Sequence, residues 1–181
     1  EGRRGSSRVR QAEASAIARE VKRIADSCGP ALSIGVISFY RAQCDLILDS
    51  FVEQGLADQD DGDVRIARQY RQTDSGDERL RVGTVDAFQG KEFDLVFLSI
   101  VRANDKVVSD QIDGLERDRL LTGKYGHLRL ANRLNVAMSR QRKLLVAVGE
   151  RGMAEGGEAE EAIPALAEFL KLCRKEASNV R

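Results

Sequence analysis

A stretch of basic residues without a single acid offers the clearest chemistry in this chain. Residues 129–148 contain five arginines and lysines. If the helix predicted here ends near Met138, Arg140 falls at a helix-to-strand turn, where its guanidinium group can project beyond a sheet. A guanidinium group is always charged and matches phosphate oxygens in a planar, bidentate geometry. Arg140 is therefore a candidate for neutralising a phosphoryl group, although local chemistry alone slightly favours a solvated basic face.

A second polar cluster directly precedes the apolar run 93–101. It consists of Gln89, Gly90, Lys91 and Glu92. Glycine permits a positive φ or a close approach of the backbone to a ligand, and Glu92 could accept a hydrogen bond from a ribose hydroxyl. The cluster is a candidate nucleotide site, but on local chemistry alone an ordinary polar turn is the better explanation.

A third cluster, residues 38–43, follows the apolar run 32–37. Ser38, Tyr40 and Arg41 supply a hydroxyl group, an aromatic ring and a cation. At the start of a helix these groups suit contact with a phosphate backbone and stacking on a base. The alternative is a capped helix with Phe39 and Tyr40 packed into the core, and the local residues favour it.

The composition excludes several classes of protein. The 29 basic and 29 acidic residues give a net charge of zero, which argues against a free-standing, non-specific nucleic-acid binder. Three separated cysteines and one histidine lack metal-ligand spacing. No run of 18 apolar residues is present, so we expect no membrane span.

Two further features of the sequence suggest that the site is incomplete. No phosphate-binding loop of the G-x-x-x-x-G-K-S/T type occurs, and no acidic pair at a strand end would obviously hold Mg²⁺. The chain begins with Glu1 rather than methionine, so we expect a fragment of a longer protein. Any nucleotide chemistry would then need phosphate-binding parts from elsewhere.

The elements that must position these clusters follow from the apolar patterns. Helices are predicted over 7–25, 40–54, 128–138 and 163–175, and strands over 32–37, 64–70, 79–85, 93–101 and 143–148. Loops are expected at 58–63, 105–126 and 152–161, and the strands 64–70 and 79–85 are expected to be joined by the turn 73–77.

This alternation of helices and strands predicts an α/β fold with an open, mostly parallel sheet. In such sheets ligands bind at the carboxyl ends of the strands. The turns that follow Ile37 and Val85, and the segment after Val101, are expected at that edge.

Taken together, the three clusters resemble motifs of superfamily 1 DNA/RNA helicases of the Upf1/Sen1/Dna2-like branch. Residues 34–43 (IGVISFYRAQ) resemble motif IV, residues 85–94 (VDAFQGKEFD) match motif V, and residues 133–142 (RLNVAMSRQR) match motif VI. The resemblance extends over roughly residues 8 to 150, with the order and spacing of the motifs intact. Phe39 stands where the family usually has proline, and segment 105–126 is longer than is typical.

The resemblance implies a three-layer RecA-like domain of the P-loop NTPase type, with a central, mostly parallel sheet and helices on both faces. It would be the second of two such domains that bind ATP between them, and the absent first domain would hold the phosphates and Mg²⁺. By position, Arg140 is implied as the catalytic arginine that reaches the γ-phosphate. The implied nucleotide-binding residues are Gln89, Gly90, Lys91, Glu92 and Arg142.

The same resemblance implies that the partner is single-stranded DNA or RNA. The residues implied to line its path are Ser38, Tyr40, Arg102 and Asn104. The first RecA-like domain of the same protein would be the second partner, and neither membrane contact nor an oligomer is expected. A cytoplasmic location, or a nuclear one in a eukaryote, would follow.

The implied activity is that of an ATP-dependent helicase or translocase, and the isolated chain is expected to be inactive as an ATPase. The alternative is a non-catalytic RecA-like module that docks nucleic acid or protein. We expect the domain to occupy residues 8–176, with a surface insertion at 105–126. A flexible segment, 1–7, would precede it and a tail, 177–181, would follow it.

Overall fold

The computed structural model of this chain describes residues 2–4, 7–104, 106–109 and 111–179. The chain divides into two compact units. The first unit comprises residues 1–101 and 136–149, and the second comprises residues 102–135 and 150–181. The domain predicted over 8–176 includes most of both units.

Helices and strands alternate along much of the chain, as the sequence predicted. In chain order they are β1 (Gly2–Arg4), β2 (Ser7–Val9), α1 (Gln11–Cys28), β3 (Ile34–Ser38), α2 (Arg41–Glu53), β4 (Ala57–Asp60), β5 (Asp63–Ile66), β6 (Leu80–Thr84), β7 (Phe93–Ser99), α3 (Gly114–Tyr125), α4 (Ala131–Met138), β8 (Gln141–Val148), α5 (Gly157–Ala162) and α6 (Pro164–Asn179). Short 3-10 helices stand between several of them, including one at Val85–Phe88.

The centre of the first unit is a four-stranded parallel sheet with the strand order β6-β3-β7-β8. Val36 of β3 lies opposite Val82 of β6 on one side and Phe97 of β7 on the other. All seven residues of β7 are buried, which is typical of a parallel strand with both faces covered. The predicted α/β class is confirmed: a parallel sheet flanked by helices, consistent with a RecA-like fold.

Helices α1 and α2 pack against each other and against the sheet. Apolar residues recur along α1 at intervals of three or four, which places them on one side of the helix. The buried residues of that side are Ala14, Ile17, Ala18, Val21 and Ala25. They share a hydrophobic core with Ile47 and Phe51 of α2 and with Val36 and Phe97 of the sheet.

The start of the first helix differs from the prediction. Strand β2 pairs with β1 as an antiparallel hairpin in which Gly2 lies opposite Val9. Helix α1 therefore begins at Gln11 rather than near Ser7. The segment 1–7, expected to be flexible, contains β1 and the first residue of β2.

The predicted pairing of strands 64–70 and 79–85 is wrong. Strand β5 pairs with β4 instead, and β6 joins the main sheet beside β3. The acidic segment expected to be a loop forms this β4–β5 hairpin, with Asp61 and Gly62 at its tip at φ values of 46° and 84°. An Asp-Gly pair with two positive φ angles is a favoured two-residue hairpin turn, so the sequence carried a signal that the prediction missed.

The second unit contains more helix than expected. The predicted loop 105–126 includes α3, where Leu121 and Tyr125 lie one turn apart and are both buried. The predicted loop 152–161 overlaps α5, where Ala159 and Ala162 are buried. None of the helices in the described part of the chain combines the length and apolarity needed to cross a membrane.

Candidate functional site

The regions of motifs V and VI meet at the amino ends of strands β7 and β8. Phe93 lies opposite Gln141 in the parallel register, and its N–H donates to the carbonyl oxygen of Arg140 at 2.9 Å. The turn formed by residues 89–92 is therefore close to Arg140. This edge is opposite to the carboxyl-end edge at which the residues after Val85 were expected, because the connection runs back along the sheet before β7 begins.

A short crossover carries the chain from the carboxyl end of β6 over β3 to the amino end of β7. Within it, Phe88 is fully buried. A Cβ atom placed on Gly35 of β3 would lie 2.7 Å from Cε1 of Phe88 and 3.1 Å from the Phe93 ring. Gly35 therefore makes room for the crossover. The rings of Phe88 and Phe93, with centroids 5.4 Å apart, anchor the chain on either side of the turn.

The turn itself presents its side chains to solvent. Gly90 has a φ of 74°, a value that favours glycine, and the N–H of Lys91 donates to the carbonyl oxygen of Phe88 at 3.0 Å. Gln89, Lys91 and Glu92 are exposed. The predicted nucleotide-binding turn is thus an accessible loop held by a buried ring on either side.

Lys91 has an acidic partner that sequence reasoning did not identify. Its Nζ lies 2.7 Å from Oε2 of Glu78, and Nε of Arg81 lies 2.8 Å from Oε1 of the same residue. Partial burial raises the pKa of Glu78, but the hydrogen bonds from Arg81 and Lys91 outweigh it and hold the pKa below its usual value. Glu78 therefore remains ionised and holds Lys91 close to the start of β6.

Arg140, the predicted catalytic arginine, is half-buried, and its side chain forms hydrogen bonds with residues that are close to it in the sequence. Its Nε donates to the carbonyl oxygen of Val136 at 3.0 Å, and Nη2 donates to Oγ of Ser139 at 2.8 Å. Ser139 in turn donates to the same Val136 carbonyl at 3.1 Å. This carbonyl lies in the last turn of α4, where helix carbonyls lack an intrahelical partner, so the arginine caps the helix that precedes it.

Arg142, another predicted nucleotide-binding residue, joins a polar cluster at the same edge of the sheet. Its Nη2 donates to Oγ of Ser33 at 3.1 Å, and its Nε lies 3.5 Å from Oδ1 of Asp94. Asp94 also accepts hydrogen bonds from the N–H and the hydroxyl of Ser33 at 3.0 and 3.1 Å. Nζ of Lys143 lies 3.2 Å from the Asp94 carboxylate.

Asp94 is thus the common anchor of β3, β7 and β8 at this edge. Burial raises the pKa of its carboxyl group. The hydrogen bonds from Ser33 and Lys143 and the charge of Arg142 outweigh burial, so the pKa lies below its usual value. Sequence reasoning named Asp94 only as part of motif V. A charged residue in the second position of a buried strand was the available sign of an anchoring role.

A cavity of about 190 Å³ lies beside the turn. Three of the predicted nucleotide-binding residues line it, namely Lys91, Glu92 and Arg142. It is smaller than the roughly 300–1,000 Å³ of a typical small-molecule pocket. A pocket of this size suits one side of a larger site.

The predicted nucleic-acid residues of motif IV are buried. Ser38 has no exposed surface, and Tyr40 is only 8% exposed. The Ser38 hydroxyl donates to the carbonyl oxygen of Ser99 at 3.5 Å and accepts from the N–H of Tyr40 at 3.4 Å. Phe39 is 4% exposed, so Phe39 and Tyr40 are both packed in the core, as the alternative expected. Contact of Ser38 and Tyr40 with nucleic acid stays a prediction.

Arg102 and Asn104, the other two predicted nucleic-acid residues, contact the end of α3. Arg102 is 3% exposed, and its guanidinium group donates to the carbonyl oxygens of Gly123 and Lys124. The Asn104 amide donates to the Lys124 carbonyl at 3.0 Å. Asn104 is half-buried and lines a cavity of about 420 Å³ together with Lys124 and Glu150. Of the four residues predicted to meet nucleic acid, Asn104 alone is more than marginally exposed.

The acidic side chains do not assemble a metal site in the described part of the chain. No group of three or more His, Cys, Asp or Glu residues there has an arrangement that could hold an ion.

Comparison with protein families gives one match that covers most of the chain. Residues 1–152 match the profile of the family AAA_12, described as an AAA domain. These residues include the motif IV, V and VI regions and strands β1 to β8.

The chain is also similar to known helicases. The DNA polymerase alpha-associated DNA helicase A of Saccharomyces cerevisiae is 31% identical over 143 residues, which are 79% of this chain and 16% of that protein. The putative helicase MOV-10 of Gallus gallus is 32% identical over 100 residues, 55% of this chain and 9% of that protein. The RNA helicase Mov10l1 of Homo sapiens is 36% identical over 70 residues, 39% of this chain and 5% of that protein. The chain spans less than a fifth of the length of these relatives.

Proposed function

Because the chain belongs to the AAA_12 family, as the C-terminal RecA-like domain of a superfamily 1, Upf1-like helicase motor, we propose that it forms one wall of an ATP site and supplies Arg140 to it. The other wall, with the phosphate loop and the Mg²⁺ ligands, is the first RecA-like domain. Cycles of ATP binding and hydrolysis between the two walls would move a single strand of nucleic acid.

The observation that carries this proposal is the meeting of motifs V and VI at one edge of the sheet. The hydrogen bond from Phe93 to Arg140 joins the two regions, and Lys91, Glu92 and Arg142 line one cavity beside it. An accessible carboxylate next to fixed cations suits a nucleotide, since Glu92 can accept from ribose hydroxyls while the cations face phosphate oxygens.

Arg140 can reach a phosphate without refolding of the chain. Its hydrogen-bonding partners lie within four residues of it, so rotation of its side chain is enough to exchange them for phosphate oxygens. An arginine that stabilises the charge of a transferring phosphoryl group is worth ~10³–10⁵ in rate. Bound ATP would supply the phosphoryl group, and Gln89 and Gly90 would contribute to holding its nucleoside end.

The nucleic-acid part of the proposal assigns different roles to the predicted residues. Asn104, half-buried beside a cavity of about 420 Å³, is the residue proposed to touch the strand. The buried Ser38 and Tyr40 would shape the backbone at the end of β3, and the buried Arg102 would shape the backbone that leads to Asn104. Relatives of this chain include a protein named as a DNA helicase and one named as an RNA helicase, so the proposal covers both kinds of strand.

The division of the site between two domains can be tested with the isolated chain. We expect it to release no phosphate from ATP in the presence of magnesium and single-stranded oligonucleotides, because the sequence has no phosphate loop. A protein that contains both RecA-like domains should hydrolyse ATP under the same conditions.

Magnesium-dependent turnover by the isolated chain, abolished by Arg140→Ala, would show that the site is complete and would contradict the proposal. A folded two-domain protein that binds single strands but never hydrolyses ATP would favour the alternative of a docking module.

A further inference from the structure

Val101 has a backbone conformation that a β-branched residue rarely adopts. Its φ is 66°, in the left-handed region where the Cβ atom clashes with the neighbouring carbonyl oxygen. In the described chain the other non-glycine residue with a positive φ is Asp61, at the tip of a hairpin. Val101 is fully buried and lies two residues beyond the end of β7, so its conformation must be held by its surroundings.

A buried carboxylate on α1 stabilises this conformation of Val101. Glu13 is only 4% exposed, and its Oε2 accepts hydrogen bonds from the N–H of Val101 at 3.0 Å and from the hydroxyl of Ser99 at 2.8 Å. Gln43 of α2 donates to the same Ser99 hydroxyl at 3.1 Å. Helices α1 and α2 thus both reach the point where the chain leaves β7.

The chemistry of Glu13 suggests a role beyond stability. Burying a carboxylate is unfavourable unless it is well paired, and Nε of Arg10 lies 3.8 Å from Oε1 of Glu13. Burial raises the pKa of Glu13, and the bonds from Val101 and Ser99 and the charge of Arg10 offset this only in part. The contacts that compensate for burial are the hydroxyl of Ser99 and the N–H of Val101, so the carboxylate holds the chain where it leaves β7.

We propose that Glu13 is a positioning residue for nucleic-acid binding: its carboxylate fixes the left-handed backbone of Val101, the residue that directly follows Ile100 at the end of the sheet and precedes Arg102 in the chain. The inference rests on the proposed function, because it assumes that the backbone at Val101 lies beside a single strand. Glu13 itself contacts neither nucleotide nor nucleic acid.

The test uses the protein that contains both RecA-like domains and measures two quantities. One is ATP hydrolysis without nucleic acid, and the other is the oligonucleotide concentration that gives half-maximal stimulation of hydrolysis. Glu13→Ala removes the hydrogen bonds, and Glu13→Gln keeps an acceptor oxygen in place. Glu20→Ala is the matched control, since Glu20 lies on the same helix, is exposed and pairs with Arg23.

Glu13→Ala should raise the half-maximal concentration at least about tenfold, the scale of a lost hydrogen bond to a charged group. Hydrolysis without nucleic acid should stay within about twofold, because Arg140 and the turn at 89–92 lie at the other end of the strands. Glu13→Gln and Glu20→Ala should both behave like the unchanged protein. If Glu13→Ala does not fold, Glu13→Asp replaces it, since its shorter side chain keeps the charge but cannot reach Val101.

Two double variants isolate the backbone of Val101. Glu13→Ala with Val101→Gly should regain the original half-maximal concentration, because glycine adopts this φ freely. Glu13→Ala with Val101→Ala removes similar side-chain volume but keeps the steric conflict, so it should remain impaired. Equal behaviour of the two double variants, or a Glu13→Ala protein no different from the Glu20→Ala control, would overturn the inference.

Amide exchange at Val101 in the isolated chain separates this inference from the proposed function. The exchange should be slow in the original chain and in Glu13→Gln, and at least about tenfold faster in Glu13→Ala. If the two-domain protein shows no stimulated hydrolysis, the proposed function fails whatever the exchange result. If stimulation is normal but Val101 exchange does not depend on Glu13, only the positioning role fails.

Discussion

At the scale of single residues, each cation predicted to meet a nucleotide already has a partner in the protein. Lys91 pairs with Glu78, Arg142 contacts Ser33 and Asp94, and Arg140 caps the helix before it. Such contacts restrict long side chains to few conformations before a ligand arrives, which lowers the entropic cost of binding. A phosphate must then compete with these partners for the cations. The competition is weakest at Arg140, because its hydrogen-bonding partners are uncharged.

Asp94 provides a test of this arrangement through pH. Its pKa is lower in the folded chain than the usual value near 4, so the ionised carboxylate adds stability that is fully present above the unfolded pKa and is lost as pH falls through the folded pKa. Asp94→Asn should therefore lower the free energy of unfolding by about 1–3 kcal/mol at pH 7. The loss should shrink as the pH is lowered below about 4.

Urea unfolding of the isolated chain at pH 7, 5 and 3 measures this difference. Asp45→Asn is the control, because Asp45 forms an exposed pair with Arg41 that is worth about 0.5 kcal/mol or less. An Asp94→Asn deficit of the same size at pH 3 and pH 7 would show that the charge of Asp94 contributes nothing.

At the scale of elements, the crossover between β6 and β7 determines where the predicted nucleotide-binding turn lies. Eight residues return the chain from one edge of the sheet to the other, with Phe88 packed over Gly35. The absence of a side chain on Gly35 is what permits this close packing. The motif V turn is therefore placed by a glycine on a different strand, about 50 residues earlier in the sequence.

Gly35→Ala should displace the crossover and with it the turn. The added Cβ atom would meet the Phe88 ring at 2.7 Å, and such overpacking typically destabilises a core by about 1–3 kcal/mol. We expect a lower unfolding midpoint and, in the two-domain protein, a higher KM for ATP. Gly152→Ala, at a position with no heavy atom within 4 Å of the added Cβ, should change neither; equal effects of the two substitutions would refute the account of the crossover.

The elements that the sequence predicted well are those whose signal is local. The continuous apolar run of β7 and the helical spacing in α1 predicted their elements to within a few residues. The partner of β5 was missed because the Asp61–Gly62 turn signal was overlooked. The partner of β6 was missed because its pairing with β3 joins segments that are distant in the sequence. The turn at 89–92 was placed at the wrong edge because periodicity does not show the path of a crossover.

The candidate site was predictable in its residues but not in their contacts. Arg140, Arg142 and the turn at 89–92 were identified from motifs, and the structure brings them together. The roles of Glu78 and Glu13 were not foreseen, because each depends on a partner that is not adjacent in the sequence. Glu78 pairs with Lys91, which follows strand β6 in the sequence, and Glu13 accepts a hydrogen bond from the distant Val101. Burial of Ser38 and Arg102 likewise follows from tertiary packing.

At the scale of the whole molecule, the chain has the features of the C-terminal RecA-like domain of a helicase motor. It carries motifs IV, V and VI, lacks a phosphate loop, and covers 16% or less of the helicases described above. Its cavity beside Lys91, Glu92 and Arg142 is about 190 Å³. These properties agree with the proposal that the chain completes an ATP site with Arg140 and that another domain provides the phosphate loop.

The most direct test of this account is the rate of ATP hydrolysis by the two-domain protein carrying Arg140→Ala. Arg151→Ala is the matched control, because Arg151 is exposed and pairs only at the surface with Glu155. We expect Arg140→Ala to lower kcat by ~10³-fold or more while the protein stays folded and the control keeps full activity. Turnover by Arg140→Ala within about twofold of the original protein, a difference of less than 1 kcal/mol in activation free energy, would contradict it.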